Sequence, residues 1–228
     1  MGNLVAWVRR VGYGARRWLN KSVQVAAVLL AGAGAARAET VTVAALGDSL
    51  TAGYGLPDGQ GFVPQLQAWL DAEGVDARIV NAGVSGDTTA GGLARLDWTL
   101  TPEVDALIVA LGGNDLLRGL PPAVSRENLE GILVGAGALP VLLVGLEAPG
   151  NYGPAFKAAF DAMYPELAAE YGALHETSFL GPLIAEVGVA EARARYMQGD
   201  GIHPNRDGVG VIVEALGPRV AELVAQVE

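Results

Sequence analysis

Four short apolar runs set the architectures open to this chain. Val41–Leu46 (VTVAAL), Ala77–Val80 (ARIV), Ala106–Leu111 (ALIVAL) and Val141–Leu146 (VLLVGL) are near-continuous hydrophobic stretches bounded by turn residues. Strands covered on both faces read this way, because neither side alternates toward water. A fifth, weaker run at Ala173–Phe179 suits an edge strand. Between the runs, Phe62, Leu66, Trp69 and Leu70 repeat at helical spacing. So do Phe156, Phe160, Met163 and Leu167, and later Ile212, Leu216, Val220 and Leu223. Pro165 and Pro218 fall inside the last two patterns and are expected to kink or interrupt them, since proline has no N–H to donate. The alternation of strand and helix implies a doubly wound α/β domain.

The 228 residues suffice for one domain of ordinary size with a sizeable core. Cysteine is absent, which excludes a thiolate nucleophile, thiolate metal sites and disulfides. The formal charge of −10 argues against a nucleic-acid partner, because phosphate binding needs clustered Lys and Arg. That charge is unevenly spread. Residues 1–38 hold six basic residues and no acidic one, leaving nine of the 15 basic residues against all 25 acidic ones, a net of −16. The basic start leads into the apolar run Val23–Ala36 and then Ala36-Arg37-Ala38, a small-x-small pattern. This reads as an export signal over residues 1–38, cleaved after Ala38, with residues 39–228 as the mature domain. The apolar run is short of the ~20 residues of a comfortable span, so an uncleaved anchor is the lesser alternative and membrane contact is expected to be at most transient. Arg16-Arg17-Trp18-Leu19 loosely matches a twin-arginine signal, leaving that route and the Sec route both open. The expected location is periplasmic or secreted.

Open parallel sheets bind ligands beyond the carboxyl ends of their strands. Each of the first three strand ends here carries polar residues: Gly47-Asp48-Ser49-Leu50-Thr51, then Asn81-Ala82-Gly83-Val84-Ser85-Gly86-Asp87, then Gly112-Gly113-Asn114-Asp115. A fourth cluster, Asp200-Gly201-Ile202-His203-Pro204-Asn205, precedes the last helix. A serine becomes a nucleophile only with a base in hydrogen-bond reach. Of the two histidines, His203 follows Asp200 by three residues, so the carboxylate can orient one ring nitrogen and leave the other facing Ser49. His175 has no such partner pattern and reads as a strand-end histidine with a local hydrogen bond. Acyl transfer also needs donors for the tetrahedral oxyanion, and Gly83 N–H, the Asn114 amide and Ser49 N–H are the candidates. Each of these residues also suits an ordinary turn or helix cap when taken alone. The G-x-S-x-G elbow, the Walker loop and a credible G-x-G-x-x-G are missing.

The string ALGDSLTAGYGL resembles the signature of the SGNH (GDSL) hydrolases. The four blocks of that family match Ser49, Gly83 in NAGVSGDTT, Asn114 in LGGND and His203 in DGIHPN, in the family's order. LGGNDLLRGL, NYGPAF and DGIHPNRDG are similar to its thioesterase, arylesterase and lysophospholipase branch. The resemblance implies a three-layer α/β/α flavodoxin-like fold with a five-stranded parallel sheet. It implies a Ser49–His203–Asp200 triad and an oxyanion hole of Ser49, Gly83 and Asn114. It further implies a mobile substrate loop over about Gly113–Leu120 and a far cleft wall at Glu147–Tyr152. Candidate substrate contacts are then Asp48, Asp115, Leu116, Leu117, Leu120, Pro149, Tyr152 and Ile202. The three leucines serve equally well as acyl contacts or as anchors onto the core. The expected substrate is a small acyl ester or thioester, with lysophospholipid as a further candidate, and neither metal nor cofactor is expected. The alternatives are a carbohydrate O-acetylesterase or acyltransferase on the same scaffold, and a non-catalytic small-molecule binder.

Overall fold

Each apolar run becomes a strand, and the segments between them become helices that cover the sheet. The computed structural model describes residues 40–227, so the export signal read over residues 1–38 lies outside the described residues. The order is β1 (Val41–Gly47), α1 (Ser49–Ala52), α2 (Phe62–Ala72), β2 (Ala77–Gly83), α3 (Thr89–Ala94), α4 (Leu96–Thr99), β3 (Ala106–Ala110) and α5 (Gly113–Leu117). There follow α6 (Pro122–Ala136), β4 (Val141–Val144), a 3-10 turn (Gly150–Tyr152), α7 (Pro154–Tyr171), β5 (Leu174–Glu176), α8 (Gly181–Val187), α9 (Val189–Tyr196) and α10 (Arg206–Val224).

All five strands are parallel, in the order β2-β1-β3-β4-β5. The central strands explain the apolar runs: six of seven residues in β1 and all of β3 and β4 are buried. The run at Ala77–Val80 behaves differently, because β2 is an edge strand and Arg78 reaches solvent. One helical layer contains α2 and α10, packed on each other; the opposite layer contains α6 and α7, with α3 against α6. Their buried faces are the periodic residues of the sequence, such as Phe62, Leu66 and Leu70 on α2, and Ile212, Leu216, Val220 and Leu223 on α10. The fold is a three-layer α/β/α sandwich.

The prolines do not interrupt their helices. α7 runs through Pro165 and α10 through Pro218. A proline removes one N–H, whereas the buried residues flanking it on each helix hold both halves against the sheet. The order of strand addition reverses between β1 and β3: the connection from β1 leads outward to β2 on one side, and that from β3 leads outward to β4 on the other. The crevice of such a sheet opens outside the carboxyl ends of those two strands.

Candidate active site

The end of β1 turns directly into α1, and that turn depends on small residues. A Cβ on Gly47 would lie 2.0 Å from Thr51 Oγ1, so any side chain there would push the turn open. Asp48 caps α1 by accepting the Leu50 N–H at 3.0 Å, which leaves Ser49 as the first helical residue. Ser49 therefore stands at the mouth of the crevice between β1 and β3.

His203 arrives from the loop before α10. That loop is stiffened by Gln198 N–H donating to His203 O at 2.8 Å, and by Gln198 Nε2 donating to Pro204 O at 3.0 Å. Asn205 starts α10 by accepting the Gly208 N–H. His203 Nε2 lies 2.8 Å from Ser49 Oγ, and Nδ1 lies 2.6 Å from Asp200 Oδ2. The other Asp200 oxygen accepts the backbone N–H groups of Ile202 and His203 at 2.9 and 3.0 Å. The His203 side-chain hydrogen bond, helped by these two amides, holds the Asp200 carboxyl at about 2. Asp200 is thus an anion that can only accept, so Nδ1 carries the ring proton and Nε2 is left to accept from Ser49. The Tyr54 ring packs on the imidazole at a centroid distance of 4.7 Å.

The second strand end differs from expectation. Gly83 does not reach the crevice: its N–H donates to Asn81 Oδ1 at 2.9 Å, and a Cβ there would strike Ala52 N at 2.4 Å. Gly83 serves instead as the smooth surface on which α1 rests. Gly86, three residues on and at φ +89°, lines the cleft with Ser85. Its N–H has no acceptor among the described residues. Asn114 also faces the cleft, where Nδ2 donates to Asp87 O at 2.9 Å and to Asp48 Oδ2 at 3.2 Å. Arg95 ties these elements together, donating from Nε to Asp87 Oδ2 at 2.6 Å and from Nη2 to Gly47 O at 2.9 Å. Burial pushes the Asp48 carboxyl up to about 6, against the pull of the Leu50 N–H.

The cleft has a volume of about 510 Å³, and its lining is largely apolar. Of the sequence candidates, it brings together Asp48, Ser49, Asn114, Leu116, Leu117, Pro149, Ile202 and His203. Asp115 is not among them. It is fully buried, accepting the Thr89 N–H and hydroxyl at 2.8 and 2.6 Å and the Ser125 hydroxyl at 2.9 Å. Leu120 and Tyr152 also stand outside the lining: Tyr152 packs on Phe156 and closely approaches Gly119. Sequence reasoning missed Tyr54, Gly86, Leu180 and Met197. Gly86 had one available signal, its place in the polar stretch after β2; the other three come from separate loops that only folding brings together. His175 lies on β5, away from the lining, and its Nε2 is buried without a partner among the described residues. Among the described residues no group of three His, Asp or Glu side chains is placed to hold a metal ion.

Residues 45–210 match the model of the GDSL-like Lipase/Acylhydrolase family. The chain is 42% identical over 191 residues to Esterase TesA of Pseudomonas aeruginosa, covering 82% of this chain and 92% of that protein. It is 37% identical over 193 residues to Thioesterase 1/protease 1/lysophospholipase L1 of Escherichia coli, covering 83% and 87%. Among solved structures it is similar to AlinE4, an SGNH-hydrolase family esterase, at 43% identity and a TM-score of 0.65, covering 81% of this chain and 96% of that one.

Proposed function

The chain belongs to the GDSL-like lipase/acylhydrolase family and is an ester hydrolase, and on that premise we propose that it cleaves esters and thioesters, with Ser49, His203 and Asp200 carrying the catalysis. The observation that carries this reading is the unbroken chain of contacts from Ser49 Oγ to His203 to Asp200, at 2.8 and 2.6 Å, on the wall of an apolar cleft.

Ser49 Oγ attacks the acyl carbonyl as His203 Nε2 takes its proton. The oxyanion then accepts hydrogen bonds from the Ser49 N–H, the Gly86 N–H and Asn114 Nδ2. For the last of these, Asn114 exchanges its longer contact, the one to Asp48, for the oxyanion, while the bond to Asp87 O keeps the amide in place. Collapse expels the alcohol or thiol, which is protonated by His203, and leaves an acyl-Ser49 ester. Water, deprotonated by the same imidazole, attacks that ester and releases the acid. Asp200 keeps the imidazole in the tautomer both half-reactions need.

The leucines of α5, Leu116 and Leu117, support an acyl chain as the recognised part of the substrate, and lysophospholipid is proposed as one such substrate. The basic start and small-x-small site support export with cleavage after Ala38. N-terminal sequencing of the mature protein checks that boundary, and a start far from Glu39 refutes it. For the catalytic reading, Ser49→Ala is expected to lower kcat on p-nitrophenyl butyrate by at least ~10³-fold with fluorophosphonate labelling lost. A folded variant that keeps wild-type turnover overturns it.

A further inference from the structure

The far wall of the cleft is held by a pair of charged residues that never touch it. Leu146, Glu147 and Pro149 line the cleft, and Ala148 between them is 2% exposed. Before this segment, the chain is tied to the sheet edge by Gly145 N–H donating to Glu176 O and Phe179 N–H donating to Gly145 O. After it, the next main-chain bond is that of Gly153 to Gly150 O. Between these points, residues 146–149 make no main-chain to main-chain hydrogen bond among the described residues beyond the strand. A buried peptide needs a partner for each of its polar groups. Here both come from the first turns of α7: Asp161 Oδ1 accepts the Ala148 N–H at 2.8 Å, and Lys157 Nζ donates to Ala148 O at 2.8 Å. The two side chains are themselves joined, Lys157 Nζ to Asp161 Oδ2, at 2.6 Å across one helical turn. Ala148 is gripped at both its N–H and its carbonyl by one ion pair.

We propose that the Lys157–Asp161 clamp on Ala148 is a positioning device that fixes the far wall of the cleft and thereby selects the length of the acyl chain; this rests on the reading of Ser49 as the nucleophile. The pair is part-exposed, so its Coulomb attraction contributes little to global stability. Its local effect is larger, because losing either member strands a buried polar group of Ala148. The segment relieves that by turning the peptide toward water, and Glu147 and Pro149 move with it. The adjoining 3-10 turn carries Tyr152, which packs against Phe156 on one side and Gly119 on the other. Movement of the wall is therefore transmitted through Gly119 to α5, which bears Leu116 and Leu117. A fixed wall gives a cleft of one width, and a released wall admits longer chains at the cost of order around short ones.

The test is a series of p-nitrophenyl esters from acetate to dodecanoate on purified wild type, Lys157→Met, Asp161→Ala and Lys157→Arg. The expected result is that the dodecanoate-to-acetate ratio of kcat/KM rises at least fivefold in Lys157→Met and Asp161→Ala, through KM, with kcat on acetate within about twofold of wild type. Lys157→Arg, which keeps a cationic donor, is expected to retain the wild-type profile. Amide hydrogen exchange at Ala148 is expected to accelerate in the first two variants only. Equal scaling across all chain lengths, or an unchanged profile with faster Ala148 exchange, overturns the proposal. If Lys157→Met and Asp161→Ala do not fold, the clamp is structural and the selectivity role is likewise overturned. Failure of the catalytic reading has a different signature: Ser49→Ala would then leave every ester in the series at wild-type rate.

Discussion

Two glycines three residues apart have opposite roles, and exchanging each for alanine separates them. The register of β1 and β2 sets Gly83 level with Gly47, directly beneath α1. A Cβ at position 83 would lie 2.4 Å from Ala52 N, 2.8 Å from Ala52 Cα and 2.9 Å from Asp48 O. All three are backbone atoms that cannot swing aside. Gly83→Ala must therefore lift α1, with Ser49 at its first position, off β2. Overpacking of this kind costs about 1–3 kcal/mol. At roughly 2–4 °C per kcal/mol for a chain of this size, Tm falls by about 2–12 °C. At Gly86 a Cβ meets nothing within 4 Å, and the cost is that of φ +89° alone, about 1–2 kcal/mol. Relaxing that angle reorients the N–H that we propose meets the oxyanion, and losing one such donor costs about 10²–10³ in kcat. Steady-state kinetics on p-nitrophenyl butyrate with calorimetric Tm values read both effects. Gly86→Ala is expected to lose more than about 10² in kcat with KM little changed and a modest fall in Tm. Gly83→Ala is expected to show the larger fall in Tm, with any loss of rate traceable to displaced Ser49. A Gly86→Ala enzyme with wild-type kcat, or a Gly83→Ala protein with wild-type Tm, refutes the assignment.

Two further predictions concern buried carboxylates. Asp48 titrates at about 6 in the folded protein against an ordinary 3.8, so between those values the folded state keeps a proton the unfolded chain has released. Stability attributable to Asp48 therefore falls as pH rises through that window, reaching a penalty of about 3 kcal/mol above it. Asp48→Asn is expected to gain on wild type in thermal unfolding from pH 4 to pH 7, and parallel curves would refute this. Asp115→Ala strands three buried donors, two on Thr89 and one on Ser125. It is expected to cost about 3 kcal/mol or more and to lower Tm by roughly 6 °C or more. The acyl preference of the folded fraction is expected to be unchanged, and an altered preference would return Asp115 to the substrate site.

The sequence is most informative where a residue's role depends on its neighbours along the chain. Asp200 and His203 are three apart, so one loop suffices to set their contact, and the pair could be read directly. Ser49 could be read from its place after the first apolar run. Asp115 and Gly83 are the opposite case, because their surroundings are set by segments distant in sequence. Both sit where a strand ends or a helix begins beside residues that line the cleft, and whether such a residue points into the cleft or under it depends on the element packed against it. Thr89 and Ser125, 26 and 10 residues away, draw Asp115 inward. The backbone of α1 covers Gly83, so the open approach in that stretch passes to Gly86.

Order along the chain thus determined the α/β class, the parallel sheet and the pairing of Asp200 with His203. These follow from periodicity and short-range spacing, which are properties of a linear string. Tertiary structure alone decided which glycine lies under α1 and which lines the cleft, which aspartate is buried away from it, and how Lys157 and Asp161 come to grip Ala148. Those roles depend on packing between segments distant in sequence, where a difference of one or two ångströms separates contact with substrate from burial in the core.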